Sequence, residues 1–93
     1  MRARKVDNNQ SEIVSALRGI GVQVCVTSAA GEGMTDLVCF YRGKTTLVEV
    51  KNGSKLTGAQ VWFHAAAKAA GVEIPVVNNV SEALAIFGAR LAA

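Results

Sequence analysis

The sequence predicts an α/β domain with a small mixed sheet and the element order α-β-β-β-α-β-α. Three observations support this fold class: a hairpin pattern around residues 35–51, apolar residues at helical spacing before it, and an alanine-rich helical segment after it. A chain of 93 residues is long enough for one core, and half of its residues are hydrophobic. We therefore expect residues 1–93 to form a single globular domain.

The hairpin is the most strongly predicted element. Val, Leu, Phe, Tyr and Thr dominate the segments Thr35–Tyr41 and Lys44–Lys51, which is typical of strands. Only Arg42 and Gly43 separate the two segments, and a glycine at the second position of a two-residue loop favours a tight hairpin turn.

The length of this turn sets the register of the hairpin. If Tyr41 pairs with Lys44, the numbers of all paired residues sum to 85, which places Asp36 opposite Glu49. Lys51 is two residues beyond Glu49, so the strand period places it on the same face of the sheet. Three charged groups are thus predicted to converge at one end of an otherwise apolar hairpin.

The other elements follow from periodicity and from capping signals. Alternating polar and apolar residues predict a half-buried strand, and glycines mark the ends of the helices. The predicted elements are a helix capped by Asp7 and carrying Ile13, Val14, Leu17 and Ile20, a strand Val22–Thr27, a loop Ser28–Gly33, a helix Thr57–Ala70 with a Thr57/Gln60 capping box, an edge strand Val72–Val77, and a helix Ser81–Phe87 capped by Asn79.

The convergence of Asp36, Glu49 and Lys51 has two explanations. These residues form ordinary cross-strand pairs on a solvated face, or the two carboxylates bind a cation that offsets their repulsion. Hard oxygen ligands of this kind suit Mg²⁺ or Mn²⁺. The register favours the second explanation.

Composition narrows the classes of function. The net charge of +3 favours an anionic partner only weakly. No apolar run reaches the length of a membrane span, so we expect a cytoplasmic protein without a membrane partner. Cys25 and Cys39 lie in predicted strands and are expected to be buried thiols, and His64 is the sole histidine, which gives no support to a zinc site or a Ser-His-Asp triad.

The charged residues also carry a resemblance. Asp36 followed by Glu49-Val50-Lys51 resembles the signature of the PD-(D/E)XK nucleases. The segment Lys55–Gln60, KLTGAQ, resembles the Leu-Thr-x-x-Gln motif of their virus-type replication-repair (VRR-NUC) branch. The similarity covers nearly the whole chain, and the predicted element order matches the core of that fold. One departure is Thr35, where the family usually has proline.

The resemblance implies a metal-dependent endonuclease that cuts DNA with Mg²⁺ or Mn²⁺. Asp36, Glu49 and the backbone carbonyl of Val50 would bind the metal, Lys51 would position the water and offset charge on the phosphate, and Gln60 would lie near the water or the phosphate.

Four further residues are weaker candidates. Glu12 matches the first-helix acid that contributes a metal ligand in many such nucleases, although an exposed acid in a first helical turn is also favoured by the helix dipole. Lys55, Arg4 and Lys5 would contact DNA phosphates, or would be ordinary solvated cations.

Relatives of this branch act on replication and repair intermediates, and some resemble Holliday-junction resolvases. The resemblance therefore favours branched or junction DNA, a homodimer that makes paired cuts, and a location in a bacterium or a phage-infected host cell. Two other classes stay open: a DNA-binding module that keeps the fold without catalysis, and a structural dimerisation domain.

Overall fold

The computed structural model describes residues 7–91, and within them a mixed sheet is flanked by helices in the predicted order. The strands lie side by side in the order β1-β2-β3-β4; the first three are antiparallel, and β4 runs parallel to β3. The elements are α1 (Gln10–Gly19), β1 (Gln23–Val26), β2 (Leu37–Tyr41), β3 (Lys44–Val50), α2 (Gly58–Ala69), β4 (Val76–Val77) and α3 (Val80–Ile86).

The predicted register of the β2–β3 hairpin is confirmed. Tyr41 pairs with Lys44 and Leu37 pairs with Val48. Arg42 and Gly43 both have positive φ angles, 48° and 80°, as a two-residue type I′ turn requires. The Arg42 guanidinium lies 5.0 Å from the centre of the Tyr41 ring, a cation–π contact at the turn.

The hydrophobic core lies on one face of the sheet, beneath α1 and α3. Leu37, Val48 and Val50 are fully buried there, together with Ile13 and Leu17 of α1. Successive strand residues point to opposite faces, so Glu49, between Val48 and Val50, points to the other face. Helix α2 contacts Glu49 on that face.

The start of α1 differs from the prediction. The N-cap is Asn9 rather than Asp7, and its side chain makes no capping hydrogen bond. The Asn9 amide instead donates to the carbonyl oxygens of Lys51, at 3.0 Å, and Asn78, at 2.8 Å. This side chain therefore joins the start of α1 to the ends of β3 and β4, a use that no local sequence pattern reveals.

The other two helix starts follow the prediction. Thr57 and Gln60 form the expected capping box, in which each side chain accepts a hydrogen bond from the other residue's backbone N–H. The Asn79 side chain accepts from the backbone N–H of Glu82 at the start of α3.

Two strands are shorter than predicted. In β4 only Val76 and Val77 pair with β3, because Pro75 has no N–H and the Val72 N–H bonds back to the Ala67 carbonyl at the end of α2. Strand β1 spans Gln23–Val26 instead of the predicted Val22–Thr27, and its last residue, Val26, is 49% exposed.

The expectation of two buried thiols is correct for only one of them. Cys39 is buried, and this burial raises the pKa of its thiol to about 11. Cys25 is also a free thiol but is exposed, because it lies on the face of β1 that points away from the core. Within residues 7–91, no helix has the length and apolarity to cross a membrane.

Candidate active site

The three charged residues of the predicted site are buried together at one end of the hairpin. Asp36 is 4% exposed, Glu49 0% and Lys51 6%. Charged side chains are almost never buried to this extent unless they are paired or bind a ligand. The burial therefore argues against an ordinary solvated face.

Asp36 reaches β3 through its carboxylate. The β2–β3 ladder ends at Leu37, and Asp36 Oδ2 accepts a hydrogen bond from the Val50 N–H at 2.9 Å, one residue beyond the predicted partner Glu49. In a strand the N–H and the C=O of one residue point to the same edge, so the Val50 carbonyl also points toward Asp36. This arrangement brings together two of the predicted metal ligands.

The loop before β2 holds Asp36 at this position. Its backbone carbonyl accepts from the Thr27 N–H at 2.7 Å, and the carbonyl of Thr35 accepts from the Thr27 hydroxyl at 2.6 Å. Thr35 itself is fully buried, and its hydroxyl donates to the Leu37 carbonyl at 3.1 Å. Thr35 is therefore accommodated at this position without an unsatisfied side-chain polar group.

Glu49 is held by two side chains of α2. Gln60 Nε2 donates to Glu49 Oε2 at 3.3 Å, and His64 Nε2 lies 3.0 Å from Glu49 Oε1. Gln60 is 2% exposed and is the one buried residue of α2. Its capping bond uses the amide oxygen and its bond to Glu49 uses the amide nitrogen, so the capping role and the position at the site coexist.

Lys51 is fixed mainly through its backbone. Its N–H donates to the Val77 carbonyl at 2.9 Å, and its C=O accepts from Asn9. Its side chain lines a cleft of about 230 Å³ with Lys55 and Thr57, and Asp7 and Ser54 complete the lining. Two lysines at one polar cleft are suited to a phosphate.

The structure brings together some of the predicted DNA contacts and metal ligands but not others. Lys55 is exposed at the cleft that it shares with Lys51. Glu12 is exposed in the first turn of α1. Arg4 and Lys5 lie outside residues 7–91.

The donor set at the end of the hairpin fits a hard divalent cation. Asp36, Glu49 and the Val50 carbonyl supply oxygen atoms, the ligand type that Mg²⁺ and Mn²⁺ prefer, and Mg²⁺ ordinarily keeps several waters as well. In residues 7–91, no three His, Cys, Asp or Glu side chains form a group that would hold a metal. Glu12 therefore does not join Asp36 and Glu49 as a third side-chain ligand in this arrangement.

His64 is the site residue that the sequence prediction missed. Its pKa is lowered from 6.5, mainly by burial and secondly by the positive charge of Lys51, and both effects favour the neutral ring. Its Nε2 atom lies within hydrogen-bond distance of Glu49 Oε1. The available signal was its spacing, because residues four apart on a helix lie on one face and Gln60 was already placed at the site.

Comparison of the chain with protein families and with curated proteins found no match.

Proposed function

We propose that this protein is a metal-dependent DNA endonuclease of the PD-(D/E)XK type, close to the VRR-NUC branch. The observation that carries the proposal is the burial of Asp36, Glu49 and Lys51 at one end of the β2–β3 hairpin, in the order and spacing of that motif. A domain that used the hairpin only for stability would gain nothing from burying these charges.

Each residue has a defined part in this proposal. Asp36, Glu49 and the Val50 carbonyl would hold Mg²⁺ or Mn²⁺, which would polarise the scissile phosphate and lower the pKa of a water. The Lys51 ammonium would position the attacking water and offset the negative charge that develops on the phosphate oxygens. Gln60 fixes the carboxylate of Glu49, and Lys55 would hold a neighbouring phosphate at the cleft beside Lys51.

The size of the domain favours recognition of DNA structure over a long base sequence. Its longest dimension is 38 Å, which corresponds to about one turn of B-DNA. Contacts to phosphates position a protein on DNA but carry no sequence information. Branched or junction DNA offers distinct geometry instead, so we favour such substrates and a homodimer that makes paired cuts.

A nicking assay with substitutions of two lysines tests the assignment. Lys51→Ala should lower the rate of cleavage by about 10²–10³-fold, the usual loss when one group that stabilises the transition state is removed. It should leave Mn²⁺ binding nearly unchanged, because a protonated amine is not a metal ligand. The matched control is Lys44→Ala, which removes an exposed lysine at the opposite end of the hairpin and should cut like wild type.

The assay uses linear duplex, flap and four-way junction DNA with Mg²⁺, Mn²⁺ or EDTA. Cutting by Lys51→Ala at the wild-type rate would exclude the role given to Lys51. Salt-dependent binding of DNA without any metal-dependent cutting would identify a non-catalytic DNA-binding module. Absence of both binding and cutting would favour a structural dimerisation domain.

A further inference from the structure

His64 is partly buried beside the site but has no part in the reaction described above. Its side chain is 16% exposed, and its Nε2 atom lies 3.0 Å from Oε1 of Glu49, whose side chain is fully buried. Gln60, one helical turn earlier on α2, donates to the other oxygen of the same carboxylate at 3.3 Å. Both oxygens of Glu49 are therefore held by neighbouring side chains of one helix.

Hydrogen bonds to both oxygens fix how a carboxylate is rotated about its terminal bond. A buried carboxylate needs such partners, because its desolvation is otherwise very costly. An ionised carboxylate has about two lone-pair positions on each oxygen, so the bond from Gln60 to one oxygen and the bond from His64 to the other do not by themselves saturate it. A carboxylate held in this way keeps a fixed orientation toward a cation.

We propose that His64 is a positioning residue that, together with Gln60, orients the Glu49 carboxylate for metal binding. The inferred consequence for metal affinity rests on the proposed function; the hydrogen bond to Glu49 does not. To donate to Glu49, the His64 ring must carry a proton on Nε2, the nitrogen that lies 3.0 Å from Oε1. Partners that orient a metal ligand in this way typically contribute 10–100-fold to metal affinity or activity.

The first experiment tests the hydrogen bond without any metal. His64 is the sole histidine of the chain, so its ring nitrogen signals can be assigned without ambiguity in an ¹⁵N-labelled protein. In EDTA at about pH 7.5, above the ordinary histidine pKa, we expect the Nε2–H tautomer, and we expect Glu49→Gln to shift the Nε2 signal. A ring protonated on Nδ1 alone would overturn the proposal, because its Nε2 atom could not donate to Glu49.

The second experiment tests the consequence for the metal. His64→Leu keeps an apolar side chain of moderate size but removes the donor, and it should weaken Mn²⁺ binding by about 10–100-fold in calorimetric titration. His64→Gln places an amide N–H near the position of Nε2 and should restore most of the affinity. Equal affinity in wild type and His64→Leu would overturn the positioning role.

The two experiments separate this proposal from the proposed function. If wild type binds no Mn²⁺, the metal-dependent nuclease fails, while the tautomer of His64 still decides whether the ring holds Glu49. If wild type binds Mn²⁺ but His64→Leu does not fold, His64→Gln is compared with wild type. Near-equal affinity supports the donor role of His64. A loss of affinity as large as that of Glu49→Gln overturns it.

Discussion

The buried carboxylate of Asp36 makes a structural hydrogen bond and is also a proposed metal ligand. Its Oδ2 atom accepts the Val50 N–H at 2.9 Å, and the hairpin register brings it to the same end of the sheet as Glu49. Asp36→Asn keeps an oxygen that can accept this hydrogen bond but removes a charge. We expect it to abolish metal-dependent cleavage and to raise the stability of the metal-free protein by about 0.2–1 kcal/mol, the usual cost of opposed like charges.

Melting curves in EDTA and in excess Mn²⁺ measure both effects. A change of 1 kcal/mol corresponds to about 4–8 °C in Tm for a domain of this size. Wild type should gain stability from metal by mass action, and Asp36→Asn should gain much less. Asp36→Ala is the control: it also removes the charge, but it leaves the Val50 N–H without its acceptor and should lose about 1–3 kcal/mol. An Asp36→Asn protein that is less stable than wild type in EDTA would contradict the opposed-carboxylate site.

Sequence alone predicted the site residues that belong to a local pattern and missed those that depend on tertiary packing. Asp36, Glu49 and Lys51 follow from turn length and strand period, so their convergence was predictable. Asn9 reaches the site because α1 begins next to the ends of β3 and β4. His64 reaches it because α2 lies beside β3. For His64 the four-residue spacing from Gln60 was the available signal, whereas no local pattern specifies the placement of Asn9.

At the scale of elements, the contact between α2 and the loop before β2 depends on Gly33. This residue is buried at a φ of 76°, and a Cβ atom placed on it would lie 2.2 Å from the Ala59 carbonyl oxygen in the first turn of α2. A contact of that length is impossible without movement of a backbone. We therefore expect Gly33→Ala to displace the start of α2 and to weaken the hydrogen bond from Gln60 to Glu49.

Gly31 provides a matched control for this prediction. Its φ is 79°, but a Cβ atom there would meet nothing within 4 Å. Gly31→Ala should cost about 1–2 kcal/mol from the left-handed conformation alone, and Gly33→Ala should cost about 1–3 kcal/mol more from the overlap. Thermal unfolding followed by circular dichroism compares the two variants. Equal melting temperatures would show that α2 does not depend on Gly33.

The elements themselves were predicted with unequal success, for physical reasons. The hairpin and the Thr57/Gln60 cap depend on neighbouring residues, and both are confirmed. Strand β4 depends on its pairing with β3, so only two residues of the predicted strand Val72–Val77 pair. The N-cap of α1 is Asn9 rather than Asp7, and its amide bonds to distant carbonyls instead of making a side-chain capping bond, a contact that depends on tertiary structure.

At the scale of the whole molecule, α2 leaves an unusual amount of apolar surface exposed. Val61 is 54% exposed and Trp62 is 70% exposed, although Gln60 beside them is buried. Trp62 and Phe63 line an open groove of about 660 Å³ with Met34, together with Ala30, Gly31, Glu32 and Ala59. Large exposed apolar patches of this kind mark interaction surfaces. The groove lies on the same side of the sheet as Glu49.

This exposed surface sharpens the prediction of a homodimer. A two-fold pair of domains would bury Trp62 and would present two sites to a two-fold substrate such as a four-way junction. We expect light scattering to give a dimer at micromolar concentration and Trp62→Lys to shift the protein toward monomer. The matched control is Val26→Lys, which places the same charge at a similarly exposed apolar residue, 49% exposed, on the α1 side of the sheet and should leave the dimer intact. Loss of the dimer in Val26→Lys alone would move the interface to that side. A wild type that is monomeric at every concentration would exclude a dimer that makes paired cuts. Single nicks would then be the expected product, because each domain contains its own Asp36, Glu49 and Lys51.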